Sequence, residues 1–107
     1  MSYLLQLVRR PASTRARNVR VVERTRLNRP GLYGDAFVYV FVEETAKGCN
    51  RDPHTDLTIA DCSNEITLEF SLETPQLREN SLFKIDTLLA ALHRFRAALA
   101  AEAELRA

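Results

Sequence analysis

Tryptophan is absent from this 107-residue chain, and cysteine occurs only twice, at Cys49 and Cys62. Two thiols cannot form the disulfide framework of a small secreted domain, so reduced cysteines and a cytoplasmic setting are expected. No apolar run approaches the roughly eighteen residues that would cross a bilayer, so no membrane partner is expected. The first apolar stretch, Tyr3-Leu4-Leu5-Gln6-Leu7-Val8, precedes its arginines. A secretory signal has the reverse order. An Arg-rich start could also mimic an organelle transit peptide, but Val19, Val21 and Val22 read as strand. Only three glycines and four prolines punctuate the chain. We find no internal repeat and no low-complexity segment.

Acid is nearly missing from one end. Residues 1–30 hold eight arginines (9, 10, 15, 17, 20, 24, 26 and 29) against the single acid Glu23, a balance of +7. Residues 31–107 hold seven basic and thirteen acidic side chains, a balance of −6, so the formal net of +1 conceals a basic arm on an acidic body. That polarity concerns partners and steering rather than fold. With 46% hydrophobic and 27% charged residues, the composition is that of an ordinary globular chain. Its length suits one domain over 1–107, with residues 1–30 as a basic N-terminal segment.

Residues 3–9 read as a first strand ended by Pro11, and 12–18 as a basic connection. Over 19–27, Arg20, Arg24 and Arg26 recur at a period of two, which predicts a strand with one basic face. Pro30-Gly31 and Gly34-Asp35 punctuate. Residues 36–42 (Ala-Phe-Val-Tyr-Val-Phe-Val) have no polar position beyond the tyrosine hydroxyl, which predicts a strand covered on both faces. The stretch 43–56 reads as a long loop, functional or mobile. Residues 57–60 and 66–72 form an expected hairpin, with Ile66, Leu68, Phe70 and Leu72 inward. A helix over 82–105, capped by Asn80 or Ser81, carries the stripe Ile85, Leu88, Leu89, Leu92, Phe95, Leu99 and Ala103.

The expected fold is α+β, a two-layer antiparallel sheet of four to five strands with one long C-terminal helix packed on one face. One helix covers one face. The other side of the central strand, Val38, Val40 and Val42 or else Phe37, Tyr39 and Phe41, then needs the N-terminal segment or a second copy of the chain. The reading favours a homodimer, with Val38, Val40 and Val42 as its interface.

Four chemistries were weighed. Arg9, Arg10, Arg15, Arg17, Arg20, Arg24 and Arg26 could neutralise nucleic-acid phosphates. However, no aromatic beyond Tyr3 interleaves with them in sequence, and pairing with Glu65, Glu69 or Glu73, or with a protein partner, uses the same residues. Cys49, Asp52, His54, Asp56, Asp61 and Cys62 are all metal-ligand types, but their spacing matches no standard site, so no metal and no cofactor is expected. Gly31-Leu32-Tyr33-Gly34 has the spacing of an RNA-clamping loop, but strands flank it where that clamp needs helices. No nucleophile, base and oxyanion donor assemble around His54, His93 or either cysteine, so no catalytic residue is expected. The Ile85–Leu99 stripe suits helix pairing in a short coiled coil, or packing against the chain's own sheet, which the reading prefers. These observations predict a small non-enzymatic interaction module that self-associates, with a nucleic-acid accessory protein as the alternative.

Overall fold

Alternating, β-branched segments give strands up to residue 68, and the absence of glycine or proline after Pro75 gives a helix. The computed structural model describes residues 5–6, 18–32 and 34–107. Its elements are β1 (Leu5–Gln6), β2 (Asn18–Arg26), β3 (Phe37–Glu44), β4 (Thr55–Asp61), β5 (Asn64–Leu68) and α1 (Pro75–Leu105). The strands form one antiparallel meander in the order β1-β2-β3-β4-β5, in which β1 contributes two residues and the other four carry the sheet. This is the expected α+β arrangement of antiparallel sheet and long C-terminal helix. Most of the expected strand over 3–9 lies outside the described residues.

Register decides which side chains share a face. Phe37, Tyr39 and Phe41 lie opposite Arg26, Arg24 and Val22 on β2, and opposite Ala60, Thr58 and Asp56 on β4. Val38, Val40 and Val42 lie opposite Thr25, Glu23 and Val21, and opposite Ile59, Leu57 and Thr55. Directly opposed residues point the same way. The valine face is therefore mainly aliphatic, with Glu23, Thr25 and Thr55 among the valines, and the aromatic face is mixed with arginine, threonine and aspartate. The residues of β3 are apolar on both sides, as expected, while their cross-strand neighbours are mixed on both.

Two turns follow from local chemistry. Cys62 takes a positive φ of 58° at the tip of the β4–β5 hairpin. Gly34 has φ 121°, and a Cβ there would come within 2.9 Å of Asn28 Nδ2, whose amide donates to the Gly34 carbonyl. Gly31 and Gly34 thus lie on the connection between two strands, β2 and β3, rather than between helices.

The helix begins earlier than expected. Thr74 is the cap, its hydroxyl accepting from the Leu77 N–H at 3.1 Å, and Pro75 occupies the first turn, where a missing N–H is harmless. Ser81 donates instead to the Ser71 carbonyl at 2.7 Å. β5 is shorter than expected, ending at Leu68, and 69–72 leave the ladder.

A helix of 31 residues is about 46 Å long. Eight-residue β3 is only about 27 Å long, and five strands are about 19 Å across. No described strand Cα lies within 8 Å of an α1 Cα. Ser81 is buried and Ile85, Leu88 and Ala91 are half-buried, but Leu92, Phe95 and Leu99 are 49%, 63% and 56% exposed. The helix outruns any direction of the sheet, and its second half stands largely in solvent. Among the described residues, buried apolar side chains are limited to Ala36, Phe41 and Ala60.

Candidate interaction surfaces

The exit of the helix is set by a chain of polar contacts. Glu43 sits at the end of β3, and its side chain is only 4% exposed. The Arg51 guanidinium donates to both carboxylate oxygens, each at 2.8 Å, and the His54 backbone N–H donates to Oε1 at 2.9 Å. The Glu43 N–H in turn donates to the His54 carbonyl. A fork-to-carboxylate pair is the strongest geometry an ion pair can take. The carboxylate also draws Arg51 above its ordinary value.

Asp52 extends the chain. It accepts from Ser71 Oγ and the Leu72 N–H, both at 2.8 Å. Arg78 then donates to the Leu72 carbonyl at 3.0 Å, Ser81 to Ser71, and Lys84 to the Glu69 carbonyl at 2.7 Å. Lys84 also lies 4.9 Å above the Phe70 ring. The loop expected over 43–56 is therefore shorter, 45–54, and tied at both ends. The helix thus supplies Arg78, Ser81 and Lys84 to this clasp.

A cleft of about 470 Å³ opens beside the clasp, lined by Glu43, Arg51, His54, Asp56, Thr67 and Glu69 among others. His54 Nε2 pairs with Asp56 Oδ2 at 2.8 Å, and its ring meets Phe41 edge-on, centroids 5.3 Å apart. Of the hydroxyls lining the cleft, Ser71 donates to Asp52, Thr55 to the Phe70 carbonyl, and Thr67 pairs with Thr58. Tyr39 is raised above its ordinary value, first by burial and then by the nearby Asp56 charge. Cys49 and Cys62 are free and exposed. Among the described residues, no group of three or more His, Cys, Asp or Glu side chains could hold a metal ion.

The arginines divide. Arg9, Arg10, Arg15 and Arg17 lie outside the described residues. A register shift between Val19 and Val21 interrupts the alternation of β2. Arg20 consequently pairs at 3.3 Å with Glu44, whose place in β3 has the opposite parity to Tyr39 and Phe37. Arg24 and Arg26 share the aromatic face, and the Arg24 guanidinium lies 3.9 Å from the Phe37 ring centroid. Linear sequence hid this aromatic neighbour, because Phe37 reaches Arg24 only across the β2–β3 ladder. Among the described residues, Arg20, Arg24 and Arg26 on β2 are separated from Glu65 on β5 by two strands.

Val38, Val40 and Val42 are half-buried, and with Leu57, Ile59 and Val21 they make the apolar side of the sheet. The second apolar surface is the free half of α1. Leu92, Phe95 and Leu99 form its stripe, flanked by Leu89. Among the described residues, no helix is long and apolar enough to cross a membrane. Compared with protein-family models, with curated proteins and with solved structures, the chain matches none.

Proposed function

We propose that this chain is a small non-enzymatic interaction module of the cytoplasm that self-associates and binds another macromolecule through its apolar surfaces. The observation carrying this reading is the free half of α1, whose leucines and phenylalanine at helical spacing stand in solvent. Leaving such a stripe wet is costly, at about 25 cal/mol per Å² of apolar surface. Contiguous exposed apolar surface of this kind marks protein–protein contact sites.

A second reading, nucleic-acid binding through the basic segment, is favoured by one specific observation. Arg24 and Arg26 stand beside Phe37 and Tyr39 on one face, which joins a phosphate-seeking charge to a stacking surface. Asp56 and Glu65 on the same face weigh against it.

One chromatographic run with light scattering and absorbance at two wavelengths separates the two. The expected result is a mass of twice the 12.2 kDa chain, with no excess absorbance from nucleic acid. A chain without tryptophan makes that excess easy to see. A monomer carrying a salt-sensitive nucleic-acid signal would replace the first reading with the second.

A further inference from the structure

We infer that the Val38, Val40 and Val42 face of one copy is covered by the free half of α1 from a second copy, held in register by a Glu23–Arg96 ion pair. The inference rests on the self-association reading and names its occupant. Glu23 lies directly opposite Val40, so its carboxylate shares the apolar face. It is half-buried and has no hydrogen-bond or ion-pair partner among the described residues. Whatever covers this face must bring Glu23 a cation, because sealing an unpaired carboxylate under apolar groups is strongly unfavourable.

The free half of α1 carries that cation. Arg96 lies four residues after Leu92 and three before Leu99, which puts it on the edge of the same stripe. It too has no partner among the described residues. The 92–105 segment is about 21 Å long, enough to cross β2 to β5.

The helix of the same copy cannot do this. It has no glycine or proline after Pro75 at which to bend, and the clasp at Arg78, Ser81 and Lys84 fixes its exit. In a two-fold pair the contact occurs twice, on the order of 1,000–1,600 Å² in total, which is the size of a specific interface. Pairing the two helix stripes with each other would leave the valine face and Glu23 uncovered.

Sedimentation equilibrium on the full chain tests this by charge exchange. Arg96→Glu alone and Glu23→Arg alone are each expected to weaken self-association at least about tenfold, and the double exchange to bring it back to within about threefold of the unaltered protein. Arg96→Glu is an exposed helix substitution. If Glu23→Arg does not fold, Glu23→Lys supplies the same charge. An unaltered chain that dimerises while both single reversals leave the affinity unchanged overturns the proposed contact and points to stripe-on-stripe pairing. An unaltered chain that stays monomeric removes the self-association reading itself.

Discussion

Replacing Glu43 with alanine is expected to lower the unfolding free energy by about 2–3 kcal/mol, and Arg51→Ala to lower it less. The asymmetry follows from burial. Arg51 is 60% exposed, so water re-solvates the guanidinium freely once its partner is gone. Glu43 is enclosed, and losing its carboxylate strands the His54 N–H that donates to it. The consequence extends beyond β3, because Asp52 lies between Arg51 and His54 and holds 71–72, from which the helix departs. Urea unfolding should show a lower midpoint with an unchanged slope, and proteolysis within 45–54 should quicken. An unfolding free energy within about 0.5 kcal/mol of the unaltered protein would mean that the clasp does not organise this end of the fold.

The second large effect is on association. Phe95→Asp combined with Leu99→Asp should convert the proposed dimer to monomer, a loss of at least about a hundredfold in affinity, since central apolar anchors dominate interfaces. Helix content by circular dichroism should be retained at concentrations where both proteins are monomeric, because both side chains stand more than half in solvent. An ordinary core position would behave oppositely, losing fold before partner. Retained dimerisation in the double variant would show that the stripe is not the contact surface.

Much of this architecture was legible in the sequence because it depends on short-range periodicity. The β4–β5 hairpin around Cys62-Ser63 and the helix over 82–105 are set by neighbours within a few residues. What was not legible depends on pairing across strands or on length. The mixed character of the Phe37, Tyr39 and Phe41 face appears only once Arg24 and Arg26 are placed opposite. The shift at Val19–Val21 removes Arg20 from the basic face, and a strict period of two cannot register it. The helix cap moved from Asn80 or Ser81 to Thr74 because Ser81 is committed to Ser71, a tertiary contact.

The candidate site was partly visible. Composition alone singles out Val38, Val40 and Val42 as apolar, while their neighbours Glu23 and Thr25 emerge only from the register. The helix stripe was read as core because its spacing is the same whether a sheet or a partner covers it. Only the mismatch between a helix of about 46 Å and a sheet of about 27 by 19 Å separates those alternatives. Glu43 carried no signal in the sequence. Its neighbour Glu44 is chemically identical and exposed, and the difference lies in which one faces Arg51 and His54.

Hydrogen–deuterium exchange along α1, followed over a range of protein concentrations, tests the central claim most directly. If the free half is buried against a second copy, amides within 92–105 gain protection as concentration rises, while those of 76–88 change little. Exchange over 92–105 at the rate of a solvated helix at every concentration would contradict the account.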